Sequence, residues 1–411
     1  MLTGYSSRRF GLIGGRLSHS FSPQIHAALA DYEYKLYPMP AEAVPDWFAG
    51  CPLDGFNVTI PYKETVMPFC AALSDRARRI GSVNTVVKRP DGSFFGDNTD
   101  YAGFSRLLDT LGVPAEGKKA LILGSGGSCR TVRAVLADRG AREIVVISRK
   151  GPDNYENLSR HADAQLIVNT TPVGMYPDTG KAPLDLAGFP ALEGVLDLIY
   201  NPARTALLLQ AEALGIPCRN GLAMLVCQAA EAARVFTGVL PDGSDAVVRA
   251  LSDEMRNIIL IGMPGCGKTS CGRALSARTG RPFSDSDEAI LEKTGRRPSE
   301  IIRADGEAAF RAVETGVLQA LAKESGTVIA TGGGAVTVPG NRDILRQNGV
   351  LVFLERPLAA LATEDRPLSA DLEALYAARL PLYRAFADAA VPCEKTPEET
   401  AAAVLRALEA L

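Results

Sequence analysis

Short apolar runs rich in Val and Ile alternate with segments of helical periodicity along the whole chain. Clear examples of the apolar runs are FGLIGG, EIVVI, AQLIVNTT, GVLDLIY and NIILIG. Short continuous apolar runs are typical of buried parallel strands, and the helices between such strands cover the faces of the sheet. The pattern therefore predicts an α/β fold.

Two of the predicted strands continue into a glycine-rich loop and then a helix: KKALILGSGGSCRTVRAVLADRG and NIILIGMPGCGKTSCGRALSARTG. A further helix is predicted over SFSPQIHAALADY, with Ser22 as its N-cap and Pro23 in its first turn. NTVVKRPDGSFFG predicts a hairpin, because a Pro-Asp-Gly turn separates two strand-like runs. TALLLQAEALG and LAMLVCQAAEAARVFTG predict two later helices.

The length of 411 residues exceeds one typical core and predicts two to three domains. Before the second glycine loop the chain turns polar in VLPDGSDAVVRALSDEMR, so we expect the main boundary between residues 240 and 256 and a linker over 246–256.

Charge and cysteine usage narrow the class of protein. The net charge is -3, with 44 basic and 47 acidic residues mixed along the chain, which argues against a nucleic-acid partner and favours small anionic ligands. The eight cysteines contain no C-x-x-C pair, so neither a zinc site nor a disulfide framework is expected. No signal peptide or membrane span is predicted, and a soluble cytoplasmic enzyme is the expectation.

GMPGCGKT at residues 262–269 matches the phosphate-loop pattern G-x-x-x-x-G-K-[ST] between a strand and a helix. Backbone N–H groups of such a loop bind phosphate oxygens, the lysine supplies a cation, and the hydroxyl reaches Mg²⁺. The predicted ATP-binding residues of this loop are Gly265, Cys266, Gly267, Lys268, Thr269 and Ser270.

Acids and arginines follow the phosphate loop. Asp285 and Asp287 in FSDSD are expected to leave an extended segment on the same side, where paired acids suit Mg²⁺ binding and proton acceptance. Three glycines end the strand TVIA and allow a ligand to approach the backbone closely. The cations expected to grip a carboxylate and phosphates are Arg311, Arg366 and Arg379.

With these motifs, residues 257–411 resemble shikimate kinase. The resemblance implies a P-loop α/β domain of nucleoside monophosphate kinase type, with ATP and Mg²⁺, that phosphorylates the 3-hydroxyl of shikimate. It also implies that Asp287 deprotonates that hydroxyl and that Thr269 and Asp285 serve Mg²⁺. Arg366 would close over the phosphates, and the shikimate would be held by Arg311, Arg379, Gly332, Gly333 and Gly334.

The first glycine loop, GSGGSC, departs from the dinucleotide pattern G-x-G-x-x-[GA] because Cys129 occupies the last position. A small residue there still allows close packing of helix and strand. About 20 residues further on, where an NAD enzyme carries an acid, the chain has Arg149 and Lys150. These cations suit the 2′-phosphate of NADP, so NADP is preferred to NAD.

Two further residues suit hydride chemistry, because reduction of a ketone builds negative charge on oxygen and requires a proton donor. Lys63 follows a strand in GFNVTIPYKETV, and Asp100 begins a helix in GDNTDYAGF. Taken alone, Asp100 is more often a helix cap, and Lys63 is more often a solvated surface lysine.

Together, LSHSFSPQIH, GFNVTIPYK, IGSVNTVV, GDNTDYAGF, VNTTPVGM and NGLAMLVCQAA follow the order found in shikimate dehydrogenase, which residues 1–245 resemble. The resemblance implies a two-lobed α/β fold with a Rossmann NADP lobe at 98–221 and a substrate lobe at 1–97 plus 222–245. It implies NADPH-dependent reduction of 3-dehydroshikimate, with Lys63 and Asp100 as the catalytic pair. The implied substrate residues are Ser20, Ser22, Thr59, Asn84, Tyr200 and Gln228, and the implied NADP residues are Gly124, Ser125, Gly126, Gly127, Ser128, Arg149, Lys150, Thr170, Leu198 and Gly221.

The chain departs from the two families at three places. The kinase lid is short and acidic, with Glu364 and Asp365 before Arg366; the segment after Lys150 is short; and Tyr101 replaces the more usual glycine after Asp100. An alternative therefore remains: a quinate or shikimate oxidoreductase whose kinase half is reduced to a ligand-binding or regulatory module.

Overall fold

The computed structural model describes residues 3–15, 17, 20–361 and 372–411. The chain divides into two compact units. Unit 1 comprises Met1–Met175, Lys181–Tyr200 and Leu207–Leu251; unit 2 comprises Tyr176–Gly180, Asn201–Ala206 and Ser252–Leu411. The predicted α/β class is confirmed, because every sheet in the described residues is flanked by helices.

The first sheet of unit 1 has the strand order β2-β1-β3-β5-β6-β4 and mixes parallel and antiparallel pairs. The predicted hairpin is its antiparallel β5–β6 pair. Its strands are β1 Arg9–Gly14, β2 Glu33–Pro38, β3 Gly55–Val58, β4 Ala72–Leu73, β5 Thr85–Lys88 and β6 Phe94–Asp97. The helices along this part of the chain are α1 Ser22–Leu29, α2 Val44–Gly50 and α3 Asp75–Ile80.

The second sheet of unit 1 is entirely parallel, in the order β11-β10-β9-β7-β8, and the first glycine loop connects β7 to α5. Apolar side chains fill both of its faces, as expected for a parallel sheet covered by helices on each side. Its strands are β7 Lys119–Leu123, β8 Glu143–Ile147, β9 Leu166–Asn169, β10 Gly194–Asp197 and β11 Cys218–Arg219. The helices along this part of the chain are α4 Asp100–Leu111, α5 Gly127–Asp138, α6 Ala206–Ala213, α7 Leu222–Thr237 and α8 Ser244–Met255.

Unit 2 contains a third, parallel sheet in the order β13-β14-β12-β15-β16. The phosphate loop follows β12, the central strand, and leads into α9. The strands are β12 Asn257–Ile261, β13 Phe283–Asp285, β14 Val328–Ala330, β15 Gly349–Glu355 and β16 Ala389–Pro392. The helices are α9 Lys268–Thr279, α10 Ser286–Thr294, α11 Pro298–Asp305, α12 Glu307–Leu321, α13 Gly340–Arg346, α14 Leu372–Phe386 and α15 Pro397–Glu409.

Three details differ from, or add to, the local expectations. Ser22 is the first residue of α1 and not its cap; the N-cap is Phe21, whose side chain makes no capping bond. The residues assigned to a linker, 246–256, lie in α8 up to Met255. Because SDAVVRALSDEM has an apolar face, this polar stretch forms a helix whose Leu251 is buried.

One histidine that matches no catalytic need has a packing role. His26 is fully buried, stacks on Tyr34 with ring centroids 3.9 Å apart, and lies 2.6 Å from the Tyr32 hydroxyl. Burial lowers the pKa of His26 to about 3. The imidazole is therefore neutral and serves as a stacking partner.

In the parts of the chain that the structure describes, every helix is too short or too polar to cross a bilayer.

Candidate active sites

Lys63 and Asp100 meet in unit 1. The chain leaves β3, turns where Tyr62 N–H donates to the Thr59 carbonyl, and brings Lys63 to the first residue of α4. Lys63 Nζ lies 2.5 Å from Asp100 Oδ2, and the two side chains are 18% and 9% exposed. An ammonium that a carboxylate holds in place can act as a general acid toward a ligand beside it.

Asn84 ties the backbone around this pair. Its carbonyl accepts from Val58 N–H at 2.8 Å, and its side-chain Oδ1 accepts from Thr99 N–H at 2.7 Å. Val83 N–H, one residue earlier, donates to the Lys63 carbonyl at 2.8 Å. Lys63 and Asp100 are therefore in direct contact, and Asn84 is bonded to Thr99, the residue before Asp100.

The remaining predicted substrate residues lie on neighbouring segments of the first unit. Ser20 Oγ and Ser22 Oγ are 3.1 Å apart at the start of α1, and the ring of Phe21 between them lies edge-on to Tyr200 at 6.0 Å. Burial raises the pKa of Tyr200, so its hydroxyl stays protonated and able to donate. Thr59 follows β3 directly, and its N–H donates to the Ile13 carbonyl.

Gln228 reaches the same region through a close crossing of α4 and α7. Gly103, one turn after Asp100, is so close to α7 that a Cβ there would lie 2.6 Å from the Met224 carbonyl oxygen and 3.0 Å from Gln228 Cβ. A side chain at this position would push the helices apart. Gly103 therefore sets the distance between the Asp100 helix and the Gln228 helix.

The first glycine loop offers open backbone N–H groups. Gly124 has a left-handed φ of 100°, and Gly126 is the N-cap of α5 without a side-chain capping bond. A Cβ at Gly126 or Gly127 would meet nothing within 4 Å, so the backbone is accessible. Open N–H groups at the start of a 12-residue helix fit a diphosphate. Ser125 is exposed, and Ser128 is half-buried in the first turn.

The predicted rim residues of this loop follow the carboxyl ends of neighbouring strands, where ligands bind in open parallel sheets. Arg149 and Lys150 are exposed just after β8. Thr170, just after β9, donates to the Leu123 carbonyl at 2.7 Å. Gly221 packs on Leu198 so closely that a Cβ would lie 2.0 Å from the Leu198 carbonyl oxygen.

In unit 2 the phosphate loop adopts left-handed backbone angles at two of its glycines. Gly265 and Gly267 have positive φ values of 79° and 99°, and Gly267 is the N-cap of α9 without a side-chain capping bond. Lys268 is buried, and its Nζ donates to the carbonyls of Gly262 and Met263 at 2.9 and 3.0 Å. Cys266 is buried inside the loop and Ser270 is exposed. The N–H groups of such a loop suit a polyphosphate.

The two acids of FSDSD are arranged differently from the extended geometry expected. Asp285 ends β13 and caps α10, accepting from the Asp287 N–H at 2.9 Å, so Asp287 lies in the first turn of that helix. Asp is a favoured capping residue, which explains why a helix begins here. Asp285 Oδ2 also accepts from the Thr269 hydroxyl at 2.6 Å. These two oxygen donors suit Mg²⁺, which prefers carboxylate and hydroxyl oxygens.

Arg311 and the triple-glycine turn form one wall of the site. Arg311 is buried and donates to Glu314 at 2.7 Å and to Glu307 at 2.9 Å. A Cβ at Gly334 would lie 2.0 Å from Arg311 Nη2, and a Cβ at Gly332 would lie 3.1 Å from Asp287 Oδ1. The glycines therefore bring backbone against both a cation and an acid.

Gly333 connects this wall to α14. Its carbonyl accepts from Arg379 at 3.2 Å and from the Tyr383 hydroxyl at 2.5 Å. Arg379 is buried, and its hydrogen bond to Gly333 places this cation beside the turn. Arg366 and the acidic lid lie outside the described residues.

Two parts of the chain match family models of known proteins. Residues 12–86 match the family model of the shikimate dehydrogenase substrate-binding domain, and residues 264–409 match the family model of shikimate kinase. The shikimate dehydrogenase (NADP(+)) of Caldicellulosiruptor bescii is 35% identical over 280 residues, which cover 61% of this chain and 96% of that relative.

The chain belongs to the shikimate dehydrogenase family. The solved shikimate 5-dehydrogenase of Thermus thermophilus, in complex with NADP(H) and shikimate, is 35% identical with a TM-score of 0.54, covering 59% of this chain and 99% of that one. The quinate dehydrogenase of Corynebacterium glutamicum, in complex with NAD, is 27% identical with a TM-score of 0.55, covering 59% of this chain and 98% of that one. A shikimate kinase part follows the dehydrogenase part.

Two charged residues of the shikimate kinase part escaped the sequence reasoning. Glu314 is fully buried beside Arg311, and burial raises the pKa of this carboxyl although Arg311 opposes the shift. Its spacing of three residues from Arg311 on a helix was the available signal. Arg356, directly after β15, lies 3.5 Å from the Cys266 carbonyl and adds a cation beside the phosphate loop.

Proposed function

We propose that this chain catalyses two consecutive reactions. The first unit reduces the ketone of 3-dehydroshikimate to shikimate with NADPH, and the second transfers a phosphoryl group from ATP to the 3-hydroxyl of shikimate. The observation that carries the proposal is the presence, in one chain, of a 2.5 Å Lys63–Asp100 pair and of a complete phosphate loop beside a Thr269–Asp285 contact.

In the reduction, Lys63 is the proton donor. NADPH supplies the hydride when it is bound. As the ketone oxygen gains negative charge, the Lys63 ammonium stabilises that charge and transfers a proton to the oxygen. Asp100 keeps Lys63 oriented through the 2.5 Å contact and accepts from a substrate hydroxyl. Hydroxyl and amide groups that hold the rest of the ring come from Ser20, Ser22, Thr59, Asn84, Tyr200 and Gln228.

The cofactor is held by backbone at its diphosphate and by cations at its ribose. The open N–H groups of residues 124–128 bind the diphosphate, and Arg149 with Lys150 binds the 2′-phosphate. Thr170, Leu198 and Gly221 are proposed to line the rest of the cofactor-binding surface. The position of two cations after β8, where an NAD enzyme carries an acid, favours NADP.

In the phosphoryl transfer, Asp287 accepts the proton of the shikimate hydroxyl. ATP supplies the phosphoryl group when it is bound with Mg²⁺. Thr269 and Asp285 hold the metal, and Lys268 with the loop N–H groups neutralises the phosphates. Arg311 and Arg379 bind the substrate carboxylate beside the triple-glycine turn of residues 332–334. Arg366 is proposed to close over the phosphates.

These roles also define the proposed domains. The substrate lobe is 1–97 plus 222–245, the NADP lobe is 98–221, the linker is 246–256, and the kinase domain is 257–411. A cytoplasmic location stays a prediction.

The experiment that tests both activities supplies the full chain with 3-dehydroshikimate, NADPH, ATP and Mg²⁺, and measures NADPH loss and ADP gain separately. We expect NADPH loss to start at once and ADP gain to follow after a lag, because the first product is the second substrate. Omitting NADPH should prevent ADP formation until shikimate is added. Absence of ADP after that addition would contradict the kinase proposal.

The second candidate is a quinate or shikimate oxidoreductase with a kinase half that only binds ligand. The likeness to a quinate dehydrogenase solved with NAD motivates it. Oxidation of shikimate and quinate with NADP⁺ or NAD⁺ discriminates the two: a preference for quinate and NAD⁺ would favour this candidate, and a preference for shikimate and NADP⁺ would reject it.

A further inference from the structure

Three side chains meet in unit 1, one each from α3, α5 and the Asp100 helix α4. The Tyr101 hydroxyl donates to Asp138 Oδ2 at 2.7 Å. Arg79 donates to both oxygens of the same carboxylate, at 3.0 and 2.5 Å, and its guanidinium lies 6.0 Å from the centre of the Tyr101 ring. We refer to Arg79, Tyr101 and Asp138 as the Tyr101 clasp. Its partners are 59 and 37 positions apart in sequence, so only the folded chain assembles it.

The Tyr101 clasp joins the two sheets of unit 1. Arg79 lies on α3, which contacts β6 of the first sheet. Asp138 is the last residue of α5, which packs on β7 and β8 of the second sheet. Tyr101 is the second residue of α4, next to Asp100, and its ring packs against the core of the second sheet. The Arg79–Asp138 contact therefore connects the helix of the cofactor loop to the lobe that carries Lys63. The Tyr101 hydroxyl, on α4, holds the Asp138 carboxylate in place for Arg79.

Helix α5 is also attached to the substrate lobe near its N-terminal end. Arg130, on the first turn of α5, lies 3.1 Å from Glu64 and donates to the Gly81 carbonyl at 3.3 Å. Glu64 is the neighbour of Lys63. Arg130 and Asp138 are eight residues apart, so α5 is held at two points about 12 Å from each other.

A neighbouring ion pair of similar exposure serves as a comparison. Arg139, the next residue after α5, lies 2.9 Å from Asp109 of α4, with side chains 43% and 45% exposed. Both α4 and α5 pack on the core of the second sheet, so this pair links no part of the first lobe. The side chains of Arg79 and Asp138 are 54% and 34% exposed, which is similar to the exposure of the Arg139–Asp109 pair. Unlike that pair, Arg79 and Asp138 lie on different lobes.

We propose that the Tyr101 clasp fastens the cofactor helix to the substrate lobe and thereby sets the apparent affinity for NADPH; this inference rests on the proposed reductase activity. In proteins whose two lobes close around a ligand about a hinge, a contact that bridges the lobes raises the fraction of closed molecules. When a fraction of the molecules is open, the apparent dissociation constant rises in inverse proportion to the competent fraction. The chemistry within the closed site is unchanged. Arg79, Tyr101 and Asp138 are thus positioning residues.

The test compares Asp138→Asn and Tyr101→Phe with Asp109→Asn as the matched control, all in the full chain. For Asp138→Asn we expect the KM for NADPH to rise by about two- to fivefold with kcat unchanged, the scale of losing one ion pair near the surface. Tyr101→Phe keeps the ring and should show a smaller rise. Asp109→Asn should leave both constants unchanged.

Ionic strength gives a second readout. Because salt screens partly exposed charges, we expect the parent KM for NADPH to rise with salt and that of Asp138→Asn to rise less. ADP formation from shikimate measures the amount of active chain in each preparation.

An unchanged KM for NADPH in both clasp variants, or an equal rise in Asp109→Asn, would overturn the proposal. A fall in kcat with constant KM would also overturn it, since it would indicate disturbance of Asp100 itself. If the parent chain does not oxidise NADPH with 3-dehydroshikimate, the proposed function has failed, and this outcome is distinct from an active parent with unaffected variants.

Discussion

At the residue scale, each proposed site contains a cationic side chain that is mostly buried and lies beside an opposite charge. Lys63 has one close carboxylate, Asp100, whereas Arg311 has two, Glu307 and Glu314. Burial acts to lower the pKa of Arg311, but Glu314 and Glu307 together raise it by more. The pKa is therefore raised, and the guanidinium stays charged. Both cations are therefore available for an anionic or polarised ligand group.

Replacing Lys63 tests the proposed proton donor. Lys63→Ala should lower kcat for NADPH-dependent reduction by about 10²- to 10⁴-fold, the usual contribution of general acid catalysis. Shikimate phosphorylation should be unaffected. Steady-state NADPH and ADP assays on one preparation provide the measurement. Lys35→Ala, at a lysine of the same lobe that is 64% exposed, is the control and should retain both activities. Loss of both activities in a folded Lys63→Ala chain would argue against separate sites.

Replacing Asp287 tests the proposed base of the second reaction. Asp287→Asn keeps the size of the side chain but removes its ability to take a proton, so kcat for ADP formation should fall by about 10²- to 10⁴-fold while NADPH oxidation persists. Glu288→Gln is the control, since Glu288 is the next residue and is 59% exposed. A fully active Asp287→Asn kinase would remove Asp287 from the mechanism.

At the element scale, both sites are built where strands end. The triple-glycine turn after β14 packs against Pro264, Arg311 and the Asp287 carboxylate, and any side chain there would occupy space that these groups already fill. Gly103 plays a comparable role in the first unit, where α4 crosses α7. Glycines at these places determine distances between elements and not only local backbone shape.

The turn yields a prediction about substrate binding. Gly334→Ala would put Cβ 2.0 Å from Arg311 Nη2, so the guanidinium or the turn must move. We expect the KM for shikimate in ADP formation to rise by about tenfold or more, as expected for roughly 1.4 kcal/mol of lost binding. Gly340→Ala is the control, because a Cβ there would meet nothing within 4 Å. Equal constants for the two variants would show that Arg311 does not depend on this turn.

At the scale of the whole molecule, each unit has its own parallel sheet and its own glycine-rich loop after a strand of that sheet. The proposed ligand is NADPH in the first unit and ATP in the second. The single tryptophan, Trp47, belongs to the core of the first sheet and so reports on the first unit alone. The unfolding of a chain with two units is not a single two-state transition, and a local probe is therefore needed.

Ligand-induced stabilisation should be specific to the unit. NADP⁺ at about 100 times its dissociation constant stabilises the unit that binds it by about 2.7 kcal/mol, which corresponds to a rise on the order of 5–10 °C in the Trp47 transition. ATP with Mg²⁺ should not shift this transition. Thermal unfolding followed by Trp47 fluorescence provides the measurement, and a shift with ATP as large as that with NADP⁺ would contradict the assignment of ligands to units.

The α/β class, the two strand-loop-helix units and the two family relationships could be predicted from sequence, because each depends on residues within one short segment. The phosphate loop is an example: its glycines, lysine and threonine are consecutive, and their backbone follows from local preferences. The Ser22 cap and the extended Asp287 were wrong. Helix α1 begins at Ser22 without any side-chain cap, and Asp285 caps α10, which places Asp287 in the first turn of that helix.

The sequence by itself determined which chemistry is present: a glycine loop with cations for NADP, a phosphate loop with paired acids, and a lysine and an aspartate suited to a ketone. Only the tertiary structure decided which of these groups touch. Lys63 and Asp100 are 37 positions apart, Arg79 and Asp138 are 59 apart, and their contacts depend on how helices pack on two different sheets. Local patterns reflect backbone preferences of neighbouring residues, whereas long-range contacts arise from burial of whole faces, which no short segment specifies.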